Sequence, residues 1–169
     1  VRSFFGGVLG LTQGWEPGGE PVVMELPLKD GGLLRFAAPV CFEDAFPDLC
    51  RRFILKGAET WINLTNVSWS RTESAEVQMF VAARFRSVEN RRVMIRCTNG
   101  GVTAVIDPWG RVMSRLDLFT QGALFETIPV YTTRRPTPYT LYGDYLPAAL
   151  AMLLPALLVL RPALPWIRS

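Results

Sequence analysis

A cysteine with a carboxylate two residues later is the most reactive feature of this sequence. Cys41 stands at the end of an apolar run, and Glu43 follows it. The 169-residue chain contains no histidine, which excludes a Cys–His pair, a Ser–His–Asp triad and a histidine-ligated metal site within it. If Cys41 is a nucleophile, a carboxylate must accept its proton and a lysine must stabilise the developing charge.

The other two cysteines, Cys50 and Cys97, give no sign of chemistry. The three cysteines are irregularly spaced and form no CxxC pair, so neither a disulfide scaffold nor a cysteine-ligated metal is indicated. We expect Cys50 and Cys97 to be small buried residues. A lone cysteine on an apolar strand is usually inert as well, and only the residues around Cys41 favour a nucleophile.

The predicted elements place Cys41 at the end of a strand. Residues 21–26 predict one strand, residues 30–32 (Asp-Gly-Gly) a turn, and residues 33–42 a second strand, which together form a hairpin. Alternate residues of a strand face the same side. The Glu43 carboxylate is therefore expected within reach of the Cys41 thiol.

Helices and strands alternate along the rest of the chain, which indicates an α/β (α+β) domain. Helices are expected at residues 47–56 and 74–91. Further strands are expected at residues 59–65, 93–97, 102–106 and 122–130, with a proline-containing turn at 107–110.

The helix at residues 74–91 carries a single apolar stripe. Val77, Val81, Phe85 and Val88 fall at i, i+4, i+8 and i+11, and we expect this stripe to pack in the core. The charged residues of this region are expected on a solvated face; they are Arg84, Arg86, Glu89, Arg91 and Arg92.

The C-terminal region is apolar. Residues 145–160 contain no charged residue, and their length approaches the ~20 residues that a membrane-spanning helix needs. Pro147 and Pro155 are tolerated more readily in a membrane helix than in a soluble core. We predict a transmembrane helix at residues 145–162; the alternative is a long apolar helix packed on the domain. The net charge of +3 comes without a basic run longer than two residues, so no nucleic-acid binding is expected.

Several segments in one order and spacing resemble bacterial apolipoprotein N-acyltransferases of the nitrilase (carbon–nitrogen hydrolase) superfamily. The resemblance covers about residues 20 to 160. It rests on VCFEDAFP at 40–47, KGAE at 56–59, NLTN at 63–66 with Trp69, AARFRSVEN at 82–90, TNGGVTAVIDP at 98–108 and LYGD at 141–144.

The resemblance implies a fold and a location. The fold is part of a nitrilase-like αββα sandwich followed by one transmembrane helix. Residues 1–131 would be the C-terminal part of the nitrilase-like domain, residues 132–144 a linker and residues 145–162 the membrane helix. The parent protein would be a multi-pass protein of the bacterial inner membrane, with its catalytic domain on the periplasmic side.

The resemblance also implies a reaction. A phospholipid donates an acyl chain to the cysteine as a thioester, and the N-terminal S-diacylglyceryl-cysteine amine of an apolipoprotein accepts it. Cys41 matches the nucleophile and Glu43 a supporting glutamate, while Phe42, Asn66 and Trp69 would contact substrate. No metal or organic cofactor is implied, and we expect a monomer.

The family's other two catalytic residues, a Glu and a Lys, precede the cysteine and have no counterpart here. Lys29 lies in the predicted hairpin turn and Lys56 follows Cys41 at a helix end. Because the chain also begins at Val1, which is not Met, we expect it to be a fragment that is inactive alone.

The sequence departs from the family pattern at four positions. Phe42 replaces a tyrosine, Val67 and Ser70 alter the segment around the tryptophan, and Met79 replaces a histidine. Two alternatives therefore stay open. One is a soluble nitrilase-type amidohydrolase that passes the acyl group to water, and the other is a catalytically dead nitrilase-like binding module.

Overall fold

The centre of the fold is a mixed six-stranded sheet with strand order β1-β2-β3-β4-β5-β6. The computed structural model describes residues 18–131 and 135–160, with side chains up to residue 157. The strands are Met24–Pro27 (β1), Leu33–Ala37 (β2), Thr60–Asn66 (β3), Val93–Asn99 (β4), Ala104–Ile106 (β5) and Val112–Arg115 (β6).

Two helices connect the parallel strands. β2, β3 and β4 are mutually parallel, while β1, β5 and β6 pair antiparallel at the two sides. Parallel neighbours require a crossover, and these are α1 (Pro47–Leu55) and α2 (Glu73–Asn90). The carboxyl ends of β2, β3 and β4 therefore meet at one edge of the sheet. We call it the catalytic edge, because the predicted nucleophile Cys41 follows β2 there.

The core lies between the sheet and the helices α1 and α2. Trp61 of β3 is fully buried and meets Phe53 of α1 edge to face, with 6.3 Å between ring centroids. Met94 of β4 and Phe80 of α2 belong to the same cluster. The described residues thus provide one sheet and one helical layer, and the second half of the predicted αββα sandwich stays a prediction.

The opposite face of the sheet is much more exposed. Leu64 and Cys97 are direct neighbours on β3 and β4; Leu64 is 54% exposed and Cys97 is also exposed. The expectation that Cys97 is buried is therefore wrong, because its side chain points away from the helices. Cys50 of α1 is fully buried, as expected.

Most predicted elements are present, including the hairpin. β1 and β2 pair antiparallel, with Leu26 opposite Leu34. In the turn, the Asp30 Oδ1 accepts a hydrogen bond of 2.9 Å from the backbone N–H of Gly32. The two helices and the strands at 60–66, 93–99 and 104–106 also lie where the sequence predicted them, to within a few residues at each end.

The strand that leads to the cysteine ends earlier than predicted. β2 stops at Ala37, and Cys41–Ala45 form a 3-10 turn. Cys41 and Glu43 are therefore not alternate residues of a strand, and the prediction that they share one face of a strand is wrong. The buried Asp44 of this turn accounts for the difference, because its carboxylate pairs with Arg96 of β4 and holds the turn against the sheet.

The apolar stripe of α2 is not in the core. Val77 and Val81 are each 40% exposed and Phe85 is 55% exposed. The buried face instead combines Phe80 with small or polar side chains, which are Glu76, Ala83, Arg86, Ser87 and Asn90. Small residues let the helix approach its neighbours closely. Buried polar groups in proteins are usually hydrogen-bonded.

The last strand lies before the predicted one. β6 at Val112–Arg115 pairs with β5 after the Asp107–Gly110 turn, in which Gly110 N–H donates to the Asp107 carbonyl over 3.0 Å. Residues 122–130, which were predicted as a strand, have no strand pairing. The short return strand occupies the position beside β5, so the later alternating segment has no partner there among the described residues.

The charged residues around the C-terminal end of α2 are not all solvated. Arg86 is 7% exposed and pairs with Glu89 over 2.8 Å, and Arg92 is 5% exposed. The expected solvated face is therefore wrong for Arg86 and Arg92. A third element packs against this end of the helix.

That element is α3 (Pro138–Tyr142), within the segment predicted as a linker. The fully buried Thr140 donates from its Oγ1 to the Asn90 Oδ1 over 2.9 Å. The Thr137 hydroxyl donates to the Glu89 carbonyl over 2.5 Å. Residues 137–143 thus pack on the domain, and α4 (Tyr145–Leu160) begins directly after them. Among the described helices, none reaches the length and hydropathy needed to cross a membrane.

The Glu89 carboxylate should make the stability of this region pH-dependent. Burial raises its pKa from the ordinary 4.5 to about 7, with Arg86 opposing the rise and Asp144 adding to it; the nearby Tyr139 also has a raised pKa, mainly through burial. A carboxyl group with a raised pKa favours folding below its unfolded pKa and loses that contribution as pH rises through the folded pKa. We expect the free energy of unfolding to fall by about 3 kcal/mol between pH 4.5 and 8 through this group.

Urea unfolding of the chain and of Glu89→Gln across this pH range checks the prediction. The neutral variant should lose most of the fall, whereas Glu73→Gln, on the exposed start of the same helix, should retain it. An equal pH dependence in both variants would contradict the assignment to Glu89.

Candidate active site

Cys41 lies at the catalytic edge, just beyond β2. An isolated parallel bridge between Val40 and Leu64 continues the pairing of β2 with β3 up to the cysteine. The backbone of Cys41 then adopts φ +52°, in the left-handed region that residues other than glycine rarely occupy. Such conformations persist where the surroundings fix them, and they cluster at functional sites.

The thiol is half-buried against the next strand. The Cys41 Sγ lies 3.9 Å from the carbonyl oxygen of Asn66, which ends β3. The carbonyl of Cys41 accepts a hydrogen bond of 3.2 Å from the Asn63 Nδ2, which also donates to the Pro39 carbonyl over 2.9 Å. Asn63 therefore holds the backbone at the cysteine itself and two residues before it.

A buried ion pair lies under the same turn. Asp44 of the 3-10 turn and Arg96 in the middle of β4 are each 1% exposed and are in direct contact. The Arg96 Nη1 also donates to the Asn63 Oδ1 over 3.1 Å. Burial raises the pKa of the Asp44 carboxyl, and the Arg96 guanidinium opposes that rise. The three side chains tie the turn that carries Cys41 to the two central strands of the sheet.

The three thiols of the chain have different environments. Burial raises the pKa of the Cys50 thiol to about 12, so this thiol stays protonated and inert. Cys97 is exposed on the open face of the sheet and lies in the middle of a regular strand. Of the three, Cys41 alone combines partial exposure with a position in a turn at the catalytic edge.

Glu43 has a structural contact in this arrangement. Its Oε2 accepts a hydrogen bond of 2.7 Å from the backbone N–H of Val40, so the carboxylate closes the turn around the cysteine. The residue is exposed at the surface. Its Oε1 can accept another hydrogen bond. The supporting role of Glu43 in catalysis therefore stays a prediction.

The three predicted substrate-contacting residues surround this edge. Phe42 is 52% exposed and meets Phe46 edge to face, with 5.7 Å between ring centroids. Trp69 is 72% exposed in the loop after β3. The Asn66 Oδ1 accepts a hydrogen bond of 2.7 Å from the Ser68 hydroxyl. The structure thus brings Asn66 directly to Cys41 and leaves two aromatic rings accessible nearby.

Asp44, Asn63 and Arg96 also belong to this site, although their sequence context did not predict it. One signal was available, since Arg96 interrupts an otherwise largely apolar run from Val93 to Cys97. A charged residue in a buried strand needs a charged partner, and Asp44 beside Cys41 was a candidate for it. The sequence alone gives no means of matching residues 52 positions apart.

Comparisons with known proteins identify the family of the chain. The family model for carbon–nitrogen hydrolases matches residues 11–135. The chain is 41% identical over 154 residues to "Apolipoprotein N-acyltransferase 2" of Treponema denticola and 43% identical over 136 residues to "Apolipoprotein N-acyltransferase 2" of Treponema pallidum. These alignments cover 91% and 80% of the chain but only 29% and 24% of the relatives' lengths.

Among solved structures, an amidase from Nesterenkonia sp. is similar, with a TM-score of 0.49 and 21% sequence identity. The superposition covers 62% of this chain and 40% of that protein.

Breaking the buried ion pair should destabilise the domain. Arg96→Met leaves the Asp44 carboxylate buried without its partner, and we expect the free energy of unfolding to fall by about 3–5 kcal/mol. The double variant Asp44→Leu with Arg96→Met should recover a large part of this loss, because neither charge then remains buried. Urea unfolding at pH 7 measures both effects.

Arg52→Met is the matched control, since Arg52 pairs with Glu20 at the exposed surface over 3.1 Å. Its loss of stability should be much smaller, because exposed ion pairs contribute little. If Arg96→Met costs no more than Arg52→Met, the ion pair does not hold the turn in place.

Proposed function

The chain belongs to the carbon–nitrogen hydrolase family, and we propose that it is the cysteine-bearing part of an N-acyltransferase. In this proposal, a fatty acyl chain passes from a phospholipid to the N-terminal S-diacylglyceryl-cysteine amine of an apolipoprotein. The observation that carries the proposal is the 41% identity over 154 residues to a relative named as such an enzyme. The position of Cys41 in a left-handed turn at the catalytic edge supports it.

In the first step, the Cys41 thiolate attacks the ester carbonyl of the phospholipid. A C–S bond forms, the ester C–O bond breaks, and the lysophospholipid leaves with the proton that the thiol gave up. A thiol suits this step because a thioester keeps enough reactivity for a later attack by an amine. The partial exposure of Cys41 in the turn beyond β2 gives the ester access to the sulfur.

In the second step, the amine of the lipoprotein cysteine attacks the thioester carbonyl. A C–N bond forms, the C–S bond breaks, and the sulfur leaves as the thiolate while the base receives the amine proton. Splitting the transfer in two lets one sulfur serve two bulky substrates in turn. Phe42 and Trp69 would contact their apolar parts, and Asn66 and Glu43 would support the reacting groups.

The general base and the oxyanion-stabilising lysine would come from parts of the protein beyond this chain. The alignment covers 29% of the Treponema denticola relative, which leaves ample sequence for both. The two lysines of the chain do not fit the role. Lys29 lies in the β1–β2 turn, and Lys56 pairs with Glu20 over 3.1 Å. The isolated chain is therefore expected to be inert.

We also propose that α4 lies in the bacterial inner membrane, with the catalytic domain on the periplasmic side. The 16 residues of this helix are uncharged. Its apolar side chains are largely exposed, among them Leu146, Leu150, Met152, Leu153 and Leu154. An exposed apolar surface of this kind indicates contact with lipid or protein. Tyr142 and Tyr145 stack edge to face at its start, where aromatic residues favour the membrane–water interface.

Replacing the nucleophile should abolish thioester formation. In the complete protein that contains this chain, incubation with phospholipid should acylate the peptide that carries Cys41, as detected by mass spectrometry and by release with hydroxylamine. Cys41→Ser should lose this adduct and reduce acyl transfer by at least about a thousandfold, since removing a nucleophile leaves only binding and oxyanion stabilisation.

Cys97→Ser removes the other exposed thiol and serves as the control, with activity unchanged. Acyl transfer that survives in Cys41→Ser would exclude the proposed nucleophile. An adduct that passes its acyl group only to water would instead favour an amidohydrolase.

Charges placed in α4 should remove the chain from membranes. The double variant Leu150→Asp with Leu153→Asp places two carboxylates in the middle of the apolar helix, at a cost of about 3 kcal/mol each. The fraction of the 169-residue chain that floats with phospholipid vesicles should fall about a hundredfold or more.

The control places the same two charges on the β1–β2 hairpin, as Leu26→Asp with Leu33→Asp. Both of these leucines are 47% exposed, so this variant should float like the parent chain. Equal flotation of the two double variants would argue against insertion of α4.

A further inference from the structure

Glu76 is a buried carboxylate that the proposed reaction does not use. It lies in the first turn of α2 and is 1% exposed, which places it among the largest fully buried side chains. Burying an ionisable group is costly unless its oxygens are hydrogen-bonded. A carboxylate at this position therefore needs a reason beyond the packing of the helix, for which an apolar residue would serve better.

One oxygen of Glu76 holds the loop after β3. The Ser70 hydroxyl donates to the Glu76 Oε1 over 2.5 Å. Ser70 itself closes a turn, because its backbone N–H donates to the Val67 carbonyl over 3.0 Å. The Ser70 Oγ also lies 3.5 Å from the backbone nitrogen of Thr72. Ser70 thus connects the carboxylate to the segment between β3 and α2, through its hydroxyl to Glu76 and through its backbone N–H to Val67.

The other oxygen faces the loop after β4. The Glu76 Oε2 is buried and has no hydrogen-bond partner among the described residues. It would lie 2.7 Å from a Cβ atom at Gly101, which would also meet the Val67 side chain at 2.6 Å. Only glycine lets the two loops close on the carboxylate in this way.

Both loops belong to the catalytic edge. Residues 67–72 begin directly after Asn66, whose carbonyl oxygen contacts the Cys41 thiol. Trp69, the most exposed of the predicted substrate contacts, precedes Ser70 in the same loop. Greater mobility of the loop at Ser70 should therefore displace Trp69 first. Through Asn66, it should also change the contact between the Asn66 carbonyl and the Cys41 thiol.

We propose that Glu76 is a positioning residue for the acyl donor: through Ser70 it fixes the loop 67–72 so that Trp69 receives a phospholipid beside Cys41. The inference rests on the proposed function for the identity of the substrate. Trp69 favours the lipid as the ligand, because an exposed indole combines an apolar ring system with one polar N–H. This combination suits the boundary between acyl chain and headgroup. Glu76 itself touches no substrate, and its effect falls on donor binding.

The test measures how thioester formation on Cys41 depends on phospholipid concentration in the complete protein. Glu76→Ala and Ser70→Ala should each raise the half-saturating donor concentration about five- to tenfold, the amount expected from losing one hydrogen bond of ordinary strength in the loop. The maximal rate should stay within about twofold. Glu76→Gln keeps an acceptor for the Ser70 hydroxyl and should behave like the parent protein.

Glu73→Ala is the matched control, since it removes a carboxylate from an exposed position in the same turn of α2. It should leave both parameters unchanged. The inference is overturned if Glu76→Ala matches Glu73→Ala, or if the maximal rate falls while half-saturation stays the same. Should Glu76→Ala not fold, Ser70→Ala decides the question, because it removes one hydroxyl from a half-buried side chain.

A second measurement does not depend on the acyl transfer. In a Cys97→Ser background, iodoacetamide should alkylate Cys41 about threefold faster or more in Ser70→Ala than in the parent, because the wall formed by Asn66 loosens. Equal alkylation rates overturn the positioning by Glu76. A parent protein that alkylates normally but forms no thioester would overturn the proposed function instead, and the ratio of alkylation rates would still decide the role of Glu76.

Discussion

The site depends on one buried ion pair, between Asp44 in the turn after β2 and Arg96 in the centre of β4. β3 lies between these two residues and contributes Asn63. The Asn63 side chain accepts a hydrogen bond from Arg96 and donates hydrogen bonds to the carbonyls of Pro39 and Cys41. A left-handed Cys41 is unfavourable by itself and persists only where its surroundings determine it. Because a buried charge without its partner is strongly destabilising, the polar contacts leave the turn little freedom to relax into an extended strand.

The same principle organises the inner face of α2. Its buried positions are mostly small or polar, and two of the polar side chains have partners in other segments of the chain. Glu76 holds Ser70, and Asn90 accepts from Thr140 of α3. Apolar packing between Phe80, Trp61 and Met94 supplies the bulk of the burial. The hydrogen bonds select one register of the helix against its neighbours, since an unsatisfied buried group costs more than a satisfied one gains.

Local signals predicted a large part of this fold, and tertiary contacts decided the rest. The Asp30-Gly31-Gly32 turn, the helices α1 and α2 and the strands around Trp61 and Met94 are short-range patterns, and all of these are present. The stripe of Val77, Val81 and Phe85 has a perfect helical period and still faces outward, because periodicity identifies an apolar face without saying which neighbour covers it. The reactive cysteine could be identified from its flanking residues, whereas Asp44 and Arg96 are far apart in sequence and meet only in the folded sheet.

The carboxylates beside Cys41 also limit its chemistry. Asp44 is buried against Arg96, and Glu43 accepts from the Val40 backbone, so each already stabilises the turn. A group that holds the ground-state geometry loses that contact if it must also take up the thiol proton. In a chain without histidine, the proton acceptor is therefore better supplied by a carboxylate that approaches the catalytic edge from another part of the protein. This division of labour fits the proposed enzyme, in which one segment presents the sulfur in a fixed turn and the base and lysine come from elsewhere.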